Sequence, residues 1–229
     1  MRLPVVNHID YFAKIGDDHR FPINKFGELA NYLLKEKIVS KFYKPYPCSE
    51  ETLKRAHSEN YIKQIKNKTL DKISVKKIGF PLVESVVKRS FIATGGTVLA
   101  SKLAVNYGLA CNTAGGSHHA NFESGAGYCV FNDVAVAAKY LLDRNLAKKI
   151  LILDLDVHQG NGNSDIFKNN KNVFTFSMHS KTNYPSKKSI SDLDVELNDN
   201  MEDHDYLKIL KYYLVKLNQE KFCLLYTSD

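Results

Sequence analysis

The sequence predicts an α/β protein with a mostly parallel central sheet, and three observations carry that prediction. Through its second half, segments with strand-like and helix-like patterns alternate. One of them, "KKILILDLD" (148–156), is a continuous apolar run ending in acids, the pattern of a parallel strand buried on both faces. No linker divides the chain, so residues 1–229 read as a single domain.

The elements follow in order. "RLPVVNH" (2–8) reads as a short buried strand. "FPINKFGELANYLLKEKIV" (21–39) carries apolar residues at helical spacing, with Pro22 near its start. "SEETLKRAH" (49–57) opens on Ser49 followed by acids, a helix-capping pattern, and "SENYIKQIKNKT" (58–69) repeats the device. "PLVESVVKRSFIATGGTVLASKLAVNYG" (81–108) is a long helix, with Pro81 suited to its first turn and Gly108 to its C-terminal cap. Gly95 and Gly96 inside it weaken the helix, and close packing against a neighbour is the expected reason. "GLACNTAGG" (108–116) is a short strand ending in a glycine turn, and "NDVAVAAKYLLDRN" (132–145) is a helix capped by Asn132 or Asp133. Beyond the apolar run come a short helix (163–170), a strand "NVFTFSMH" (172–179), a helix (202–219) and the start of a strand "FCLLY" (222–226).

Charge and cysteine content narrow the function classes. Lys plus Arg exceeds Asp plus Glu by 32 to 25, but the excess is diffuse and lacks interleaved aromatics. A solvated lysine-rich surface is expected, not a nucleic-acid groove. Acids gather late, at Asp192, Asp194, Glu196, Asp199, Glu202, Asp203 and Asp205. They are expected on loop and helix-start surface, where they could attract a cationic substrate. The four cysteines show no C-x-x-C spacing, no signal peptide opens the chain and no apolar run is long enough to span a bilayer. A cytoplasmic protein with reduced thiols and no membrane partner is expected. Nothing in the pattern fixes an oligomeric state.

In parallel α/β sheets, ligands sit at the carboxyl ends of the strands. Three such ends carry reactive side chains here: "AGGSHH", "DLDVHQGNG" and "SMH". In extended chain Asp156 and His158 point to one face, a carboxylate and an imidazole suited to zinc or ferrous iron. Asp154 shares that face one step deeper, and Gly160 and Gly162 are expected to let the backbone turn away sharply. A hydrolytic metal also needs a base and an electrostatic partner nearby. The adjacent His118 and His119 can supply both, with Asp154 and Asn161 as candidate acceptors behind the rings. The competing readings make the two histidines metal ligands or a surface pair.

Several motifs together resemble the histone deacetylase and acetylpolyamine amidohydrolase superfamily: "GGSHHA", "GYCVFND", "LDLDVHQGNG" and "FTFSMH". "MRLPVVNH", "HRFPINKF" and "NYPSKK" resemble its class IV-type branch, common in bacteria. The resemblance implies a three-layer arginase/deacetylase-like fold and removal of an acyl group, acetyl foremost, from lysine side chains or acetylated amines. It implies Asp156 and His158 as metal ligands, His119 as base and acid, and His118 as its electrostatic partner. It places Asp154 behind His118 and Asn161 behind His119, and makes Gly127, Tyr128 and Tyr184 the walls of an acyl-lysine tunnel. A structural potassium ion is implied on Asp154, Asp156, His158, Ser177 and Met178, and Arg20 of "HRFP" is expected to line the inner site.

The family's third metal ligand is an aspartate in a pattern like Y-N-A-G-x-D. Here "LLYTSD" offers Tyr226 for the tyrosine, but Asp229 arrives two residues early and is not assigned. "CLLYTSD" also resembles translated adapter sequence. The chain is therefore expected to be the N-terminal part of a longer enzyme, binding zinc weakly and turning over slowly on its own. Two rivals from other classes are an arginase-like ureohydrolase and a module that binds acyl-lysine without cutting it. The first needs a D-x-H-x-D run, and Gly160 stands where its second acid would be.

Overall fold

From the N-terminus, β1 (Val5–Val6) and a single 3-10 turn (Ile9–Tyr11) lead to α1 (Lys25–Lys35), α2 (Glu50–Leu53), α3 (Glu59–Asn67), α4 (Lys72–Ile78) and the long α5 (Glu84–Tyr107). Then come β2 (Cys111–Asn112), α6 (Asp133–Asp143), β3 (Ile150–Asp154), α7 (Asn161–Phe167), β4 (Val173–Ser180), β5 (Leu193–Leu197), α8 (Asp203–Leu217) and β6 (Leu224–Ser228). The computed structural model describes residues 3–228, with side chains through residue 225. No helix of the described residues is long and apolar enough to cross a membrane.

Local chemistry sets several helix ends. The hydroxyls of Ser49 and Ser58 accept from the amides of Thr52 and Tyr61, and Asn132 accepts from Ala135 N at 2.8 Å. Gly108 closes α5 in the left-handed conformation, at φ 84°. Two elements were not expected. α4 lies in a lysine-rich stretch that reads as plain surface, yet Asp71 caps it by accepting from Ile73 N and Ser74 N. β5 runs through the late acidic cluster. Asp192 accepts from the amide and hydroxyl of Thr175, and Asp194 from Ser191 and Gln159. These two acids are engaged in holding a strand in place and are not free surface charge, which corrects the expectation of a loop.

The main sheet has the order β5-β4-β3-β6, all parallel, and β1 and β2 form a separate parallel pair. Every residue of β3 is buried. Its alternation separates two cores. Ile150 and Ile152 join the cluster built on α3, α5 and α6, while Leu151 and Leu153 join the cluster under α8. Helices therefore cover both faces of the sheet, as a parallel sheet requires. The two glycines of α5 meet close neighbours. A Cβ on Gly95 would lie 2.0 Å from Tyr46 O, and one on Gly96 would lie 2.0 Å from the Tyr11 hydroxyl.

One buried histidine ties the helical layer together. His57 Nε2 accepts from Asn132 N at 2.9 Å, at the start of α6, and its ring packs on Tyr61 and Phe131. Burial pushes its pKa down to about 4. Folded, the ring takes a proton only near that pH, whereas in the unfolded chain it does so near 6.5. Between those values the unfolded state binds more protons, so the stability contributed above pH 6.5 is lost as pH falls toward 4. Urea unfolding at pH 7 and pH 5 is expected to show the wild type losing about 2 kcal/mol more than His57→Gln over that interval. Equal losses in both proteins would refute the assignment.

Candidate active site

Asp154 closes β3 on the same face as Ile150 and Ile152, so its carboxylate enters the layer of α6 and α7 and not that of α8. There it meets the turn that precedes α6. His118 Nδ1 lies 2.7 Å from Asp154 Oδ2, and His119 Nδ1 lies 2.7 Å from Asn161 Oδ1, at the first residue of α7. The two rings are 4.0 Å apart between centroids, and both histidines are buried. An amide oxygen only accepts, so His119 carries its proton on Nδ1 and leaves Nε2 with a lone pair. Burial, reinforced by the charge of His118 beside it, pushes the His119 pKa down to about 3. The ring is therefore neutral at neutral pH.

α7 docks directly on this turn. Gly162 N and Asn163 N both donate to His118 O, at 2.8 and 3.3 Å. The glycines of "HQGNG" serve this approach. Neither Gly160 nor Gly162 has positive φ, so the expected sharp turn is not why they are needed. A Cβ on Gly160 would lie 2.1 Å from Asp154 Oδ2, and one on Gly162 would lie 2.3 Å from Ala120 O.

Asp156 and His158 stand beyond the end of β3. His158 Nδ1 lies 2.9 Å from Asp156 Oδ1, and that oxygen is 3.9 Å from His118 Nε2. His158 and His119 meet edge to face at 5.8 Å. A carboxylate oxygen and an imidazole nitrogen this close suit one small cation. Bonds of about 2.1 Å in a tetrahedral site leave neighbouring donors about 3.4 Å apart. Among the described residues no third His, Cys, Asp or Glu joins them. Asp229 and the side chain of Tyr226 lie outside the described residues, and β6 draws level with Asp154 at Ser228.

The walls come from two separate segments, one carrying Gly127 and Tyr128 and the other Tyr184. Tyr184 packs edge-on against His119 at 4.8 Å and against His158 at 6.1 Å. Gly127, at φ 54°, runs so close beneath His119 that a Cβ would sit 2.6 Å from its ring. Tyr128, itself at φ 64°, lays its ring on Gly79 and packs with His19, Phe21 and Phe80. These groups open on a cavity of about 1620 Å³ that also reaches Asp156 and Arg89. Ser177 sits opposite Asp154 in the β3–β4 register, with its hydroxyl near Gly160 N and His179 Nδ1. Met178 points its side chain into the core under α8.

Other expectations fare differently. Arg20 is exposed and does not line the inner site. The buried arginine there is Arg89 of α5, donating to Tyr11 O at 2.8 Å amid Phe21, Phe26 and Phe80. No sequence signal distinguished it from other helical arginines. "SMH" lies within β4, where His179 is buried and its Nδ1 lies 3.0 Å from Ser177 Oγ. Gln159 has no signal in the sequence, yet its amide fastens the 181–192 loop through Ser189 and ties it to Asp194 of β5. Burial pushes the Cys129 thiol up to about 12, which keeps it a packed side chain and not a nucleophile.

Fold and site define an α/β protein that sets a paired-imidazole turn against an acid–imidazole strand end. The chain belongs to the histone deacetylase family, within the histone deacetylase and acetylpolyamine amidohydrolase superfamily: the histone deacetylase domain matches residues 19–222. An uncharacterized protein of Picosynechococcus sp. is 43% identical over 219 residues, 95% of this chain and 73% of that protein. Histone deacetylase 2 of Arabidopsis thaliana is 33% identical over 182 residues, 76% of this chain and 47% of the relative. The crystal structure of an HDAC homologue complexed with SAHA superposes with a TM-score of 0.85 at 22% identity, over 99% of this chain and 68% of that one. The HDA15 HD domain gives 0.84 at 18%, covering 99% and 71%. These likenesses establish the three-layer deacetylase-like fold. The chain spans about half the length of histone deacetylase 2 of Arabidopsis thaliana and of histone deacetylase clr6 of Schizosaccharomyces pombe.

Proposed function

We propose that this chain carries the catalytic half-site of a metal-dependent amidohydrolase that removes an acyl group, acetyl foremost, from lysine side chains or acetylated amines. The observation that carries the reading is the unlike backing of two touching imidazoles, Asp154 behind His118 and Asn161 behind His119, beside Asp156 and His158. Asp156 and His158 would hold zinc or ferrous iron, which when bound acts as a Lewis acid on an amide oxygen and acidifies water. His119, neutral and with Nε2 free of its proton, takes a proton from water and later returns it to the leaving amine. His118, held against the Asp154 carboxylate, stabilises charge that develops beside it. Gly127 and Tyr184, flanked by Tyr128, confine an extended alkyl chain and exclude water from the reacting end. The same reading seats a potassium ion on Asp154, Ser177 and the carbonyls of Asp156, His158 and Met178.

The close approach of the backbone at Gly160 to Asp154 favours this chemistry over that of a ureohydrolase. A side chain at position 160 would place its Cβ 2.1 Å from Asp154 Oδ2, so a second acid there would displace the carboxylate behind His118. The experiment is release of free amine from an acetyl-lysine peptide by the purified chain, with zinc added and after EDTA. Zinc-dependent release, with one metal per chain by elemental analysis, is the expected result. Tight binding of the peptide without release would mark a non-catalytic reader, and two metals per chain would mark the ureohydrolase.

A further inference from the structure

The Asn-Asp pair at the start of α6 divides its labour. Asn132 caps the helix, while the Asp133 carboxylate turns back into the glycine turn. Its Oδ1 accepts from Ser117 N at 2.8 Å, and its Oδ2 accepts from Gly116 N at 3.2 Å and from the Thr97 hydroxyl of α5. Thr97 Oγ1 in turn accepts from Asn112 Nδ2 at 3.0 Å, and Asn112 Oδ1 accepts from the Tyr11 hydroxyl at 2.8 Å. Asp133 and Tyr11 are 1% and 0% exposed, so water cannot substitute for a lost partner. Space is equally committed. Gly115, at φ 132°, would place a Cβ 2.5 Å from Asp133 Oδ2 and 2.7 Å from Thr97 Oγ1. The network ends one residue before His118.

We propose that Asp133 is a positioning residue: with Thr97 it pins the Gly115–Ser117 turn and thereby sets where His118 and His119 stand against Asp154, Asn161 and the Asp156–His158 pair. This rests on the proposed amidohydrolase reading for its catalytic consequence, though not for its geometry. A carboxylate is needed because two backbone N–H groups and a hydroxyl all donate to it. An amide offers only one accepting oxygen. The α7 contact to His118 O fixes the turn from one side, and Asp133 fixes it from the other. Without that second hold the base moves relative to the reacting atoms, and a displacement of about 1 Å is worth roughly 100-fold in rate.

The test uses Thr97→Val, Thr97→Ser and Asp133→Asn in the full chain, with two readouts. The first is the pair of imidazole N–H proton resonances, His118 to Asp154 and His119 to Asn161, by NMR. The second is kcat and KM on an acetyl-lysine peptide. Thr97→Val and Asp133→Asn are expected to shift or broaden both resonances and to lower kcat about 10- to 100-fold with KM within about twofold. Thr97→Ser, which keeps the hydroxyl, is expected to restore both. Unmoved resonances in Thr97→Val, or a Thr97→Ser protein as impaired as Thr97→Val, would overturn the proposal. If Asp133→Asn does not fold, the threonine pair decides. An inactive wild type counts against the amidohydrolase reading alone, because the resonances still report on the turn.

Discussion

Replacing His119 with alanine is expected to lower amide hydrolysis by roughly 10²- to 10⁴-fold, the usual contribution of a positioned general base. Binding of an acetyl-lysine peptide is expected to change little, because the proposed reading gives the hold on the alkyl chain to Gly127 and Tyr184, which pack against His119. The imidazole is suited to the task. Its Nδ1 proton is committed to Asn161, and burial with the neighbouring His118 charge keeps Nε2 unprotonated at neutral pH. Asn161→Ala removes the hold on the tautomer without removing the base, so a smaller loss of about 10- to 100-fold is expected. Steady-state kinetics with isothermal titration of the peptide would separate the two effects. Turnover by His119→Ala at the wild-type rate would remove the base from the mechanism.

Gly162→Ala is expected to damage fold and site together. The new methyl would lie 2.3 Å from Ala120 O, 2.5 Å from His118 O and 2.8 Å from the His119 carbonyl carbon. All three are backbone atoms of the turn that bears the imidazoles, so no flexible side chain can move aside. Either α7 lifts away, breaking the Gly162 N–His118 O bond and drawing Asn161 from His119, or the turn yields. Overpacking of this kind costs about 2–3 kcal/mol, or a Tm lower by roughly 5–10 °C for a chain of this size. Gly27→Ala is the control. Gly27 is exposed within α1 with nothing near its added methyl, and alanine there is expected to be neutral or to stabilise by about 0.5–1 kcal/mol. Calorimetry on the two variants checks both signs, and a Gly162→Ala protein melting with the wild type would contradict the account.

Much of the fold is written locally. Ser49, Ser58, Asn132 and Gly108 mark helix ends because a cap is a contact within four residues. The β3 run is legible because burial on both faces leaves no polar position until Asp154. α4 and β5 were hidden for the converse reason. Lysines dominate one and acids the other, and composition resembles solvated surface until Asp71, Asp192 and Asp194 find their partners. For the site, the residue types and their loops could be read from "GGSHH" and "DLDVHQGNG", since strand ends in a parallel sheet gather at one edge.

What the sequence determined by itself was the layered α/β class, most helix boundaries and the set of imidazoles and carboxylates at the strand ends. Tertiary structure decided which partner each takes. Asp133 leaves its own helix to hold a distant turn, Arg89 and not Arg20 reaches the inner cavity, and the glycines of "HQGNG" make room for a neighbour without turning the chain. Caps and alternation act over a few residues and leave a periodic trace. Contacts between Thr97, Asn112, Gly116 and Asp133 depend on how separate segments pack, and packing has no period along the chain.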